Sequence, residues 1–215
     1  MLLLALLLLA DVVPPPGVVI DHQPASTQPY IGSPTIAILP DGAYVASHDF
    51  FGAGSTQSTS AVTRVFRSTD RGRTWSQTAE ISDQFWSNLF LHRGKLYLMG
   101  ATAEYGRIVI RASSDGGRTW TQASYLTEDA NYHTAPVPVA LHGGRIWRAM
   151  EYHPSGAWGF FEAFVLSAPA KANLLDARSW KLSAWLPYPK DAPEGKHWLE
   201  GTTLFRSQYR RGARW

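Results

Sequence analysis

The sequence predicts an all-β chain made of repeated four-stranded antiparallel units, the architecture of a β-propeller, on three observations. The phrase "STDRGRTW" at 68–75 returns as "SSDGGRTW" at 113–120, 45 residues further on. Around each copy runs one pattern: a short apolar strand, a glycine turn, an alternating strand, a variable loop, a third strand and a turn ending in Trp. No stretch carries a long apolar period of helical type, whereas Thr, Val, Tyr, Trp and Gly are plentiful. Four short strands in roughly 45–60 residues fit a propeller blade; a sandwich leaves the repetition unexplained, and a β-helix has much shorter coils.

The elements follow in order. Leu2–Ala10 is an apolar run of signal-peptide length, too short to cross a bilayer as a helix, and Pro14–Pro16 opens the arm behind it. Residues 1–16 are therefore expected to act as a signal peptide and Pro-rich arm, which implies a secreted or periplasmic protein with no stable membrane insertion. Residues 17–200 are the partial propeller. Its first blade, 30–81, reads "GSPTIAILPDGAYVASHD…VTRVFRSTDRGRTW". The second, 84–126, reads "FWSNLFLHRGKLYLMGA…RIVIRASSDGGRTW", and the third, 131–185, "HTAPVPVALHGGRIWRAME…EAFVLSAPAKANLLDARSW". Gly42, Gly94 and Gly144 mark equivalent turns, and residues 186–200 would start a fourth blade. About three blades plus that start are expected.

Composition bounds the function. The 45% hydrophobic and 17% charged residues describe a packed protein rather than a disordered one. The excess of base is local: residues 201–215 carry Arg206, Arg210, Arg211 and Arg214 and no acid, leaving 16 basic against 17 acidic residues elsewhere. A nucleic-acid partner needs a basic face on the folded part, so none is expected. With no cysteine, disulfides and thiolate chemistry are excluded. The seven histidines show no paired metal-ligand spacing, so neither a metal site nor a cofactor is expected.

The repeated phrase reads as a folding device. Asp70 and Asp115 can accept hydrogen bonds from their own turns, closed by Ser68 and Ser113. Gly72 and Gly117 can take positive φ, Thr74 and Thr119 begin the next strand, and Trp75 and Trp120 bring large apolar surfaces to pack. A carboxylate saturated with N–H bonds is a poor proton donor, which argues against these two as catalytic acids.

These two stretches resemble the Asp-box, or BNR, repeat, and the chain is similar over about residues 17–200 to the sialidase-like β-propeller superfamily. The third copy, "LLDARSW", departs from the motif: Asp176 sits one place nearer Trp180, and the Gly is missing. The resemblance implies six blades in the complete fold and an exo-acting glycoside hydrolase. It also implies an Arg two residues before the Pro that opens the first blade, clamping a substrate carboxylate. Gly32 stands at that position, so a sialidase-like hydrolase for another sugar is expected. By the same resemblance Asp49 is the counterpart of the family's acid/base Asp, and Glu200 of the Glu that partners a tyrosine nucleophile.

Chemistry is expected on one rim. The loops after each blade's second strand and the links between blades offer carboxylates and imidazoles at Asp49, Glu151, Glu200, His48 and His133. They also bring Trp86, Glu104, Tyr105, Tyr132, Tyr152, Trp158 and Trp198. Rings that stack on sugar faces, polar groups for hydroxyls and two carboxyl groups are what glycoside hydrolysis requires. The competing reading is a non-catalytic carbohydrate- or protein-binding propeller, which needs the rings but not the acid and base. An incomplete ring leaves sheet edges and apolar faces uncovered. The chain is accordingly expected to be a truncated or frame-shifted product, inactive alone, that needs the missing blades or a second half-ring to close.

Overall fold

A computed structural model describes residues 17–135, 137–154 and 161–187. The arm at 1–16, Trp158, residues 188–200 with Trp198 and Glu200, and the Arg-rich tail lie outside the described residues.

Three antiparallel sheets follow one another along the chain. The first is β1 (Tyr30–Ile38), β2 (Tyr44–Phe51), β3 (Val62–Ser68) and β4 (Ser76–Ser82), hydrogen-bonded in chain order. The second repeats this with β5 (Phe85–His92), β6 (Lys95–Ala101), β7 (Ile108–Ser113) and β8 (Ser124–Tyr125). In the third, the edge strands are broken. β9 (Tyr132–His133) and β10 (Ala140–His142) both pair with β11 (Arg145–Tyr152), and β13 (Lys181–Leu182) and β14 (Leu186–Pro187) both pair with β12 (Glu162–Pro169). The gap between β9 and β10 contains Pro138, which has no N–H to give a ladder.

Central strand β6 is buried on nearly every residue because it lies between two packed sheets. Strand β2 packs one face on the second sheet, and on its other face His48 is covered by Asp21, Phe50 and Phe66. Val45, Val65 and Ile81 of the first sheet meet Leu89, Leu96 and Leu98 of the second. Tyr97, Met99, Ile108 and Ile110 of the second meet Ile146, Met150, Phe164 and Leu166 of the third. Sheets stacked in this way, each entered at one edge strand and left at the other, are consecutive propeller blades. The outer face of the first blade carries uncovered apolar residues: Ile36 and Ile38 are 56% and 59% exposed. Among the described residues no helix is long and apolar enough to cross a membrane.

Both copies of the repeated phrase fold into the same turn. Asp70 Oδ1 accepts from the Arg73 and Thr74 N–H groups at 3.0 and 2.9 Å, and its Oδ2 accepts from Thr74 Oγ1 at 2.6 Å. Asp115 does the same with Arg118 and Thr119. Ser68 and Ser113 Oγ accept from the N–H groups of Gly72 and Gly117 at 2.8 and 2.7 Å. Gly117 sits at φ 86°, which an L side chain resists. The Thr74 hydroxyl and N–H hold the Asp70 carboxyl well below the usual range. Partial burial opposes the same effect at Asp115, and the Thr119 bonds outweigh it. Trp75 Nε1 and Trp180 Nε1 close their turns on the carbonyls of Gly72 and Leu174. Asp176 differs, gripping the Arg178 backbone N–H and guanidinium instead.

The entry strands of the first two blades share a defect. Pairing slips between Gly32 and Thr35 in β1 and between Phe85 and Asn88 in β5, with Ser33 at φ 54° and Trp86 at φ 51°. Such bulges re-aim side chains and peptide groups. The second of them builds the site.

Candidate functional site

Period-two alternation along β2 sends adjacent residues to opposite faces. Asp49 turns toward the second blade and is 1% exposed. His48 turns to the outer face of the first blade, where its Nε2 meets Asp21 Oδ2 at 2.8 Å beside the rings of Phe50 and Phe66. There it borders a groove of about 520 Å³ lined also by Val19, Ile36 and Phe66. The structure therefore separates His48 from Asp49.

Asp49 is held by two blades. The N–H of Trp86, presented by the bulge, donates to Asp49 Oδ2 at 2.8 Å, and Thr63 Oγ1 bonds Asp49 Oδ1. Thr63 Oγ1 also lies 2.9 Å from the Gln84 carbonyl. A hydroxyl has one hydrogen, so it cannot donate fully to both oxygens. A protonated Asp49 resolves the conflict, donating to Thr63 while Thr63 donates to Gln84. Burial pushes the Asp49 carboxyl up to about 7, against the hydrogen bonds from Thr63 and Trp86 that favour its ionised form.

Trp86 links this carboxyl to the third blade. Its ring packs edge-on to His133 at 5.1 Å, with Phe51 and Phe85 on its other sides at the same distance. His133 and Glu151 are register partners on β9 and β11, so one backbone pairing sets their side chains together. His133 Nδ1 lies 3.1 Å from Glu151 Oε2, and both side chains are fully buried. Tyr105 and Phe161 complete the surround of His133 at 5.7 and 4.9 Å, and His153 stacks on Tyr105 at 4.6 Å. Burial, aided by the charge of Glu104, pushes the Tyr105 hydroxyl up to about 12, so at neutral pH it is a hydrogen-bond donor.

The other expected residues are placed as follows. Glu104 Oε2 accepts from Gln57 Nε2 and Ser58 Oγ, both at 3.1 Å, tying the β6–β7 loop to the β2–β3 loop. Tyr132 lies in the core between Tyr152 and Phe164. Tyr152 stacks on Trp185 at 4.1 Å. Asp49, Trp86, Tyr105, His133 and Glu151 thus form one connected cluster across three blades, whereas His48 and Tyr132 stand apart from it. Arg148 and Phe161 belong to the cluster although no motif marks them, and His153 joins it two residues after Glu151. Arg148 occupies the blade-facing row of β11 with Ile146 and Met150, where alternation alone calls for an apolar residue. Among the described residues no group of three His, Asp or Glu side chains is arranged to hold a metal.

No protein-family model matches the chain, and no curated protein matches it in sequence. Solved structures do. The chain is similar to an α-L-arabinofuranosidase from Lactobacillus brevis, with 15% identity and a TM-score of 0.54 over 77% of this chain and 58% of that one. It is also similar to a Hadza microbial sialidase, with 15% identity and a TM-score of 0.51 over 72% of this chain and 37% of that one. A variant of the α-L-arabinofuranosidase of Fusarium graminearum, in complex with an iminosugar inhibitor, matches at 16% identity and a TM-score of 0.50 over 70% and 49%. These likenesses establish the β-propeller fold. The chain spans between about a third and three-fifths of the length of these three structures.

Proposed function

We propose that this chain supplies part of the active centre of a carbohydrate-acting propeller, a sialidase-like glycoside hydrolase that is not a true sialidase. One observation carries the reading. Two buried carboxyl groups, Asp49 and Glu151, sit in different environments within one aromatic cluster built from three blades. Asp49 has an environment that keeps a carboxyl protonated near neutral pH, as a general acid requires. Glu151 is paired with His133, which suits the complementary base or nucleophile. Trp86 and Tyr105 offer apolar ring surface for a sugar. The solved propellers it resembles include enzymes named for arabinofuranosides and sialic acids, which supports a glycoside as substrate.

Gly32 argues against the sialidase carboxylate clamp. A Cβ there would meet the Phe51 ring at 2.6 Å, so the space a clamping side chain needs is already filled. The second reading, a propeller that only binds, is favoured by the burial of both carboxyls.

Hydrolysis of aryl glycosides and short arabino- and sialo-oligosaccharides separates the two. Turnover is expected once the ring is completed by further blades or a second half-ring, reduced at least about 100-fold in Asp49→Asn and in Glu151→Gln with the fold retained. Binding without turnover, unchanged in both amide variants, would establish the binding module.

A further inference from the structure

Arg148 is a cation where the fold calls for hydrocarbon. Its neighbours on the same row of β11, Ile146 and Met150, are buried in the interface with the second blade, and Arg148 itself is 1% exposed. Among the described residues no carboxylate lies within ion-pair distance of it. Its guanidinium instead spans two carbonyls of the second blade, with Nη1 donating to Met99 O at 2.7 Å and Nη2 to Trp86 O at 3.0 Å. A blade interface could be sealed more cheaply by Leu or Met, since an uncompensated buried charge is costly. The position of the two carbonyls suggests what offsets that cost.

Trp86 is the residue at φ 51° in the β5 bulge, and it is bonded from both sides. Its carbonyl is held by Arg148, while its N–H is aimed at Asp49 Oδ2, 2.8 Å away. Without a restraint on that carbonyl, a bulky residue would leave the left-handed region. We propose that Arg148 is a positioning residue: through Trp86 it fixes the Asp49 carboxyl in the site, and it supplies the buried positive charge that balances that carboxyl when it ionises. The inference rests on the reading of Asp49 as the site's acid.

The electrostatics agree with the geometry. Burial lowers the Arg148 guanidinium to about 9, and the charge of Asp49 raises it. A buried cation near the Asp49 carboxyl favours its ionised form. The other ionisable groups at this junction are His133 and Glu151, across the Trp86 ring, and Tyr105 and His153 beyond His133.

The test needs no substrate, so its outcome is independent of whether hydrolysis is found. In the wild-type protein, the Asp49 carboxyl carbon, the Trp86 backbone amide and the Arg148 side-chain nitrogens are followed by NMR from pH 5 to 9. All three are expected to move with one midpoint, and the Trp86 and Arg148 movements are expected to vanish in Asp49→Asn. Arg148→Met is expected to raise the Asp49 midpoint by about one unit or more, and Arg148→Lys to restore most of it. Arg148 and Trp86 signals indifferent to the Asp49 midpoint in the wild type would overturn the proposal. An unmoved Asp49 midpoint in a folded Arg148→Met protein would overturn it equally. The wild-type titration decides the matter even if the Met variant does not fold.

Discussion

Replacing Asp49 by Asn should change how stability depends on pH. In the folded protein this carboxyl protonates at about 7, against 3.8 for an ordinary aspartate. The folded state therefore binds the proton more tightly than the unfolded one, so the stabilisation is complete below about pH 4 and is lost as pH rises through 7. A rise from 3.8 to about 7 is worth on the order of 4 kcal/mol over that window, at about 1.4 kcal/mol per unit. An Asn amide reproduces the protonated acid. Its NH2 can donate to Thr63 Oγ1 and its oxygen can accept from the Trp86 N–H, as the Asp49 carboxyl bonds these two groups now. Urea unfolding followed by Trp fluorescence at pH 5, 7 and 8.5 measures both proteins, and their difference cancels the histidines. The wild type should lose stability relative to the variant as pH rises, and the variant should equal or exceed it at pH 8.5. A constant difference across the range would refute the claim of a buried, protonated Asp49.

Two further outcomes follow from the packing and the turns. Leu98 is fully buried where the first two blades meet, and Leu98→Ala should cost about 2–5 kcal/mol in the urea transition. Asp115→Asn should weaken the protein at neutral pH and flatten its acid limb. The carboxylate's stabilisation is present above the ordinary 3.8 and disappears as pH falls through its lower folded value, which acid titration of both proteins reads directly.

The all-β repeat was legible because its signals are local. A turn that needs Ser, Asp, Gly, Thr and Trp at fixed offsets writes itself into the chain, and two copies reveal the period. The site was only partly legible. Asp49, Trp86, Tyr105, His133 and Glu151 announce themselves as polar or aromatic residues at strand ends. Whether two such residues meet depends on which face each strand turns inward, and so His48 was grouped with its neighbour Asp49 although alternation sends them apart. Nothing in "FWSN" marks Trp86 for a left-handed backbone, because the bulge is held by bonds to Asp49 and Arg148 from other blades. Arg148 was missed for a related reason: an arginine in a strand reads as surface until the facing sheet supplies its carbonyls.

The central claim is that the cluster spanning three blades is where a sugar binds. It is tested most directly by titrating an arabino-oligosaccharide into the labelled protein while recording Trp, Tyr and His side-chain resonances. Saturable shifts are expected at Trp86, Tyr105 and His133, with Trp75 and His22 unmoved. Saturable shifts confined to Phe66 and His48 in the outer groove of the first blade would contradict it.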